Sequence, residues 1–317
     1  MIATVTLNPA VDKTLHTSRV ILGTVNRADG VNNMAGGKGI NVAKVLKQYG
    51  YDVKTLGFLG GYNGTLIGDS VKNMGITDAF IRVEGETRTS INVIAEDGYI
   101  TEFLEPGPVI SEDEKERFLK SFKEEIRECE IVIICGSAPV GIEPEFYAKM
   151  INLAKEQGKK VFLDSSGESL RCGAKALPDM IKPNMRELET LMGRRIRGMQ
   201  EVEEAASMIV GQGIPNVMVY MRSKGILYAR ENDKGQKEPE LMYIQAPAIK
   251  VVNSVGSGDS AVAAYAMSVL EGRNPLDTLK HCVAVSAANA MSLENGSNPM
   301  EKVDEIEATL QLNTAIF

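Results

Sequence analysis

The chain has 317 residues, the length of one large α/β domain with an appendage or of two ordinary domains, and either buries a sizeable core. Its 35 basic and 42 acidic side chains leave a net charge of −7, which argues against nucleic acid as the main partner, because phosphate backbones are met by clustered Lys and Arg. With 44% hydrophobic and 24% charged residues, the composition is that of a soluble globular protein.

Further classes fall away on local grounds. No apolar run approaches the roughly 18 residues a membrane helix needs. The opening residues MIATVTLNPAVDK lack a basic stretch followed by an apolar one, so the expectation is a cytoplasmic protein without a signal peptide. Cys129, Cys135, Cys172 and Cys282 show no C-x-x-C spacing and read as reduced thiols. With only His16 and His281, a multi-histidine zinc site or Ser-His-Asp chemistry has little to build on. His16 reads as a surface residue, His281 and Cys282 as packing in a helix, and Arg194, Arg195 and Arg197 as a solvated helix end or loop.

Short β-branched runs at Ile2–Leu7, Val53–Phe58, Ile131–Cys135, Val161–Asp164 and Val217–Met221 predict buried strands. Helical periods at Lys38–Tyr49, Thr65–Met74, Glu112–Glu128, Pro144–Gln157 and Glu201–Val210 lie between them. Ser111 and Glu114 have the spacing of a capping box. This alternation predicts βαβ units around a mostly parallel sheet. Residues 14–33 are polar with little helical period. Ser90–Ala95 and Tyr99–Leu104 flank Asp97-Gly98 and predict a hairpin. Together the two regions could form a small β element against the main sheet, and the simpler expectation makes them an edge extension of it, within one domain spanning 1–317. A second hairpin is expected from Ile226–Ala229 and Leu241–Gln245.

Three stretches carry chemistry. In Val251–Ser260 an apolar strand end runs into Gly256-Ser257-Gly258 and then a helical pattern. Unpaired amides and the helix dipole make such a turn an anion site. Asp259 plants a carboxylate inside it. That placement makes sense for a base taking a proton from an attacking hydroxyl, although an acid stabilising its own helix N-terminus has the same spacing. In Ala35–Ala43, Gly36, Gly37 and Gly39 allow close backbone approach, with Lys38 and Asn41 as donors. This is no Walker A loop, and it reads either as a polyol or phosphate cradle or as a plain strand-to-helix turn. In Ile181–Glu187, Asn184 and Glu187 can face one point across a helix start. They read either as a holder of hydrated Mg²⁺ or as a capping box.

Taken together, these stretches resemble the PfkB (ribokinase-like) family of carbohydrate kinases. Asn253–Ser260 is similar to its C-terminal signature, Gly36–Asn41 to its N-terminal one, and Lys182–Glu187 to its N-x-x-E motif. The likeness extends through Leu7–Asp12, Gly57–Gly61, Gly85–Arg88, Glu105–Pro108, Gly136-Ser137 and Leu163–Gly167. It implies a three-layer α/β/α fold with a small β lid at about 13–34 and 87–105, which in several members also forms a homodimer contact. It implies ATP and Mg²⁺ as cofactors and a phosphorylated ketohexose as substrate, with no membrane or nucleic-acid partner.

The resemblance also assigns roles. Asp259 would be the catalytic base, with Gly256, Ser257 and Gly258 forming the anion hole. Asp12, Gly37, Lys38 and Asn41 would hold the sugar. Arg88 would meet its phosphate, with Arg27 and Ser137 as further contacts. Asn184 and Glu187 would organise Mg²⁺ and the ATP phosphates, while Ser223, Gly225 and Asn289 lie near the nucleotide. One departure stands out: Tyr220–Gly225 places Arg222 where the family has a glycine, and an Arg there either contacts ATP or crowds it. For the sugar, Ala35, Leu104 and the run Arg88-Thr-Ser-Ile favour tagatose 6-phosphate. Glu105-Pro106 and Asn253-Ser254 favour fructose 1-phosphate. A rival of another class is a catalytically weak sugar-phosphate-binding regulator.

Overall fold

The computed structural model describes residues 1–96, 99–232, 238–310 and 315–316. The chain begins β1 (Ile2–Thr6), β2 (Ala10–Thr17), β3 (Gly30–Gly36), α1 (Lys38–Gln48), β4 (Val53–Leu59), α2 (Gly61–Asn73), β5 (Thr77–Asp78), β6 (Ile81–Arg82), β7 (Arg88–Ala95) and β8 (Ile100–Leu104). It continues α3 (Glu112–Glu125), β9 (Ile131–Cys135), α4 (Glu145–Glu156), β10 (Lys160–Asp164), α5 (Gly167–Ala174), β11 (Met180–Ile181), α6 (Met185–Met192), α7 (Gly198–Gly211) and β12 (Asn216–Tyr220). The final elements are β13 (Ile226–Arg230), β14 (Glu240–Ile244), α8 (Ser257–Glu271), α9 (Pro275–Ala290), α10 (Met300–Leu310) and β15 (Ala315–Ile316).

The central sheet has the order β15-β14-β13-β12-β11-β10-β9-β1-β4-β5, with β6 also on β4. It is parallel from β5 to β12 and antiparallel at β13, β14 and β15. Alternate side chains of each strand feed opposite faces. Ile131 and Ile133 join a core with α1, α2, α8, α9 and α10. Val132 and Ile134 join another with α3, α4, α5, α6 and α7. Each fully buried Ile, Leu or Phe contributes about 1.5–3 kcal/mol relative to exposure, so a sheet sandwiched on both faces is the stable solution for these runs. The result is the expected three-layer α/β/α architecture.

One expectation is overturned. The two polar β regions are not an edge extension of the main sheet. They form a separate four-stranded sheet, β3-β2-β7-β8. The free edge of β4 is taken by β5 and β6, while β2 finds β3 antiparallel and β7 parallel. The hairpin of β7 and β8 pairs Ser90 with Leu104 and Ile94 with Ile100, and its turn at Asp97-Gly98 lies outside the described residues. The β13–β14 hairpin forms as expected, with Ala229 opposite Leu241.

Helix starts show what sequence patterns leave out. The Ser111 capping box forms, with the Glu114 carboxylate accepting from the Ser111 amide at 2.8 Å. Helix α2 begins a turn before the expected Thr65, because Glu86 arrives from elsewhere in the chain to accept from the amides of Tyr62 and Asn63. His16 is exposed, and His281 is buried with Nδ1 2.9 Å from Glu307.

Candidate active site

The parallel strands end on one edge, and there the three motif stretches converge. Gly256 takes φ 82°, a left-handed value that favours glycine, and turns the chain into α8. The first-turn amides of α8 have no intrahelical acceptor, and the helix dipole adds positive potential. Gly258 packs closely on Lys182: a Cβ there would sit 3.2 Å from Lys182 Nζ. Asn289, expected near the nucleotide, is fully buried against this turn. Its amide donates to the Val255 carbonyl at 2.8 Å and to Ser257 Oγ at 3.2 Å, and its oxygen accepts from the Gly296 amide at 2.9 Å and Ser260 Oγ at 3.1 Å. With its hydrogen-bonding capacity spent on the protein, Asn289 braces the anion turn.

Asp259, in the first turn of α8, is buried and accepts from Asn41 Nδ2 at 2.9 Å. Burial, with the negative charge of Asp164 added, pushes its pKa up to about 6. Asn41 and Lys38 stand on the first turns of α1, behind Gly37 with φ 115°. Gly39 has no room for a side chain, since a Cβ would lie 2.4 Å from Thr6 Oγ1. That close packing of α1 on β1 lets Lys38 reach across to Asp164 Oδ1 at 2.8 Å.

Asp164 and Lys182 are the residues that the sequence reading passed over. Asp164 ends β10, is 1% exposed, and also pairs with Lys182 Nζ at 3.3 Å. Burial alone would raise its pKa, but the ammonium groups of Lys182 and Lys38 outweigh it and hold the carboxyl below the usual range. Lys38 is correspondingly pushed up: burial opposes its charge, and Asp164, Glu187 and Asp259 overcome that. Lys182 lies 5.3 Å above the Tyr220 ring, a cation–π distance. The signal that could have found them is positional: a carboxylate or ammonium closing an apolar parallel strand points onto the ligand edge.

Asn184 and Glu187 form the capping box. Glu187 Oε2 accepts from the Asn184 amide at 2.8 Å, and Asn184 Oδ1 accepts from the Glu187 amide at 3.0 Å. The cap does not exhaust them, because Glu187 Oε1 faces Lys38 Nζ at 3.9 Å. Burial pushes the Glu187 pKa up. Asp164, Glu187 and Asp259 thus share a recess with Lys38 and Lys182, one negative charge in excess when all are ionised. One oxygen, Asp164 Oδ2, is buried without a hydrogen-bond partner among the described residues.

On the other side of α1 the second sheet brings Asp12 to the site. Asp12 is buried, which pushes its pKa up, and Asn295 Nδ2 donates to it at 3.4 Å. Its register partners are Met34 and Ser90. Arg88, two residues before Ser90, donates from Nε and Nη2 to the Asn8 carbonyl at 3.3 and 3.1 Å. Arg27 and Ser137 are exposed on loops. Ser223 is exposed and Gly225 is buried with φ 104°, both in the turn after β12.

The model of the pfkB family carbohydrate kinases matches residues 4–302. The tagatose-6-phosphate kinase of Staphylococcus epidermidis is 38% identical over 309 residues, covering 96% of this chain and 97% of that protein. The 1-phosphofructokinase of Haemophilus influenzae is 36% identical over 286 residues, 90% of each. Phosphofructokinase-2 from Escherichia coli, in complex with substrates and products, superimposes with a TM-score of 0.88 at 27% identity, covering 98% of this chain and 99% of that one. The chain therefore belongs to the pfkB family of carbohydrate kinases. Within it, the protein is an ATP-dependent sugar-phosphate kinase, which sets aside the non-enzymatic rival.

Proposed function

We propose that the protein transfers the γ-phosphoryl group of ATP to the free primary hydroxyl of a ketohexose monophosphate, with tagatose 6-phosphate as its preferred sugar. The observation that carries the reaction is Asp259: a buried carboxylate with its pKa near 6, set in the first turn of a helix whose amides form an anion site. At neutral pH it is ionised and able to accept the hydroxyl proton as the oxygen attacks phosphorus. Asn41 donates to Oδ2 of Asp259 and so orients the carboxylate. Gly256, Ser257 and Gly258 receive the transferred phosphoryl, Lys38 and Lys182 offset its charge, and Asn289 keeps the turn rigid.

Asp12, Gly37, Lys38 and Asn41 line the sugar side, and Arg88 meets the phosphate already on the sugar, with Arg27 and Ser137 as outer contacts. Asn184, Glu187, Ser223 and Gly225 border the nucleotide. The excess negative charge of the carboxylates and the unpartnered Asp164 Oδ2 suit a hydrated Mg²⁺, which needs few protein ligands. Bound there with ATP, the ion would neutralise charge on the phosphates, and Glu187 and Asp164 are the residues that would hold it through water.

A second copy of the chain is the partner we infer for the β3-β2-β7-β8 sheet, which acts as a lid. Its edge strands expose Val31 and Phe103 at 57% and 60%, apolar area that a dimer would cover. The preference for tagatose 6-phosphate rests on Ala35, Leu104 and the run Arg88-Thr-Ser-Ile, together with the staphylococcal relative. The test is kcat/KM for tagatose 6-phosphate, fructose 6-phosphate and fructose 1-phosphate under saturating MgATP. Tagatose 6-phosphate should lead. A tenfold preference for fructose 1-phosphate would overturn the sugar and leave the kinase standing.

A further inference from the structure

Arg222 takes φ 55°, one of only two non-glycine residues with positive φ among the described residues. A bulky side chain is disfavoured there and persists only where the surroundings hold it. The surroundings do: Met221 N donates to the Gly225 carbonyl at 2.9 Å, Gly225 N to the Arg222 carbonyl at 2.9 Å, and Tyr243 Oη to the Lys224 carbonyl. The turn is anchored to the catalytic edge. It follows β12 directly, and Tyr220 N donates to the Pro183 carbonyl at 2.9 Å, beside Asn184. The Tyr220 ring lies 3.7 Å from where a Cβ on Gly258 would sit. Met221 is buried and Arg222 exposed, so the chain comes to the surface at Arg222, two residues after the Tyr220 ring that lies beside Gly258. The guanidinium is exposed and makes no hydrogen bond or ion pair among the described residues.

A rigid turn that accepts backbone strain to present an unpaired, fork-shaped cation beside an anion hole needs a ligand to account for it. We propose that Arg222 binds the non-transferred phosphates of the donor nucleotide and is a determinant of nucleotide affinity. This rests on the kinase reading above. The contact is made in substrate and product alike, so it is uniform binding that appears in KM and not in the chemical step.

The test is Arg222→Gly, with Arg222→Lys beside it. Glycine adopts φ 55° freely, so Arg222→Gly keeps its melting temperature and a binding loss cannot be assigned to misfolding. We expect the KM for MgATP and the Kd for MgADP, measured by calorimetry without sugar, each to rise about tenfold, the size of one charge-assisted contact. The sugar KM should stay within twofold, and Arg222→Lys should recover part of the loss. Unchanged or tighter MgADP binding by Arg222→Gly would overturn the proposal, as would a change confined to the sugar KM. If the parent protein itself binds no MgADP, the nucleotide reading fails as well, which separates the two.

Discussion

Asn41 Nδ2 donates to Asp259 Oδ2 at 2.9 Å, joining residues 218 positions apart and so the first glycine-rich stretch to the last. The bond orients the carboxylate and offsets part of its burial, yet desolvation still wins and lifts the pKa to about 6. One helix start therefore tunes the carboxylate that stands on another.

Replacing Asp259 by Asn should lower kcat by about 10²–10⁴, the usual worth of a general base, while the fold persists because the amide oxygen can still accept from Asn41. In the parent, kcat/KM should fall as pH drops through about 6, where Asp259 gains its proton. The stability effect has the opposite sense. The folded pKa of about 6 lies above the ordinary 3.8, so the native state binds this proton more tightly than the unfolded chain. The cost of the buried charge is fully present above about 6 and is relieved as pH falls toward 3.8. Asp259→Asn should accordingly melt higher than the parent at pH 8, with the gap closing toward pH 4. A near-normal kcat in the folded variant would remove Asp259 from its role.

Asp164→Ala should destabilise the protein by about 3–5 kcal/mol, because it strips the shared counter-ion from Lys38 and the buried Lys182. Asp164→Asn, which keeps an acceptor, should lose less. The Asp164 pKa is depressed in the fold, so its stabilising contribution is present above the ordinary carboxylate range and is lost as pH falls through the folded value. Urea midpoints at neutral pH and in a series stepped down below the ordinary 3.8 check both points. Equal midpoints for parent and Asp164→Ala would show that the lysines need no partner.

Sequence pattern captured what repeats locally. Ile131–Cys135 forms the strand that its β-branching predicts, and Ser111 caps its helix as its spacing predicts. What it could not show depends on distant chain. The capping of α2 by Glu86, the placing of Lys38 against Asp164, and the separation of β2 and β3 from the main sheet are all long-range pairings. Asn289 shows the same limit at the site. Nothing local in a helical Asn shows that its amide bonds the Val255 carbonyl and its oxygen the Gly296 amide, because both partners arrive from other parts of the chain. For Asn184 and Glu187 the capping box forms, and it leaves one Glu187 oxygen facing Lys38, a long-range approach that the local spacing does not show.

Arg88→Ala should raise the KM for the sugar phosphate and leave the KM for ATP almost unchanged. Arg88 is held by the Asn8 and Glu105 carbonyls, which orient the guanidinium without neutralising it. A charge-assisted contact of this kind is worth about 1.5–3 kcal/mol. A rise in the ATP KM alone would move Arg88 to the nucleotide side.

Gly36→Ala tests how tightly the second sheet is fitted to Asp12. A Cβ on Gly36 would fall 2.1 Å from Asp12 Oδ2 and 2.2 Å from its Cγ. No atom tolerates that approach, so the carboxylate must swing away from its Asn295 partner. The backbone itself is not the obstacle, since Gly36 is absent from the positive-φ residues. Overpacking of this order costs about 1–3 kcal/mol in stability, and the displaced Asp12 should raise the sugar KM about tenfold or more with the ATP KM unmoved. The argument has a sharper check in a double variant. With Asp12→Ala in place there is no carboxylate to clash, so adding Gly36→Ala should cost almost nothing further in either stability or KM. Strict additivity of the two substitutions would show that Gly36 is needed for something other than the space Asp12 occupies.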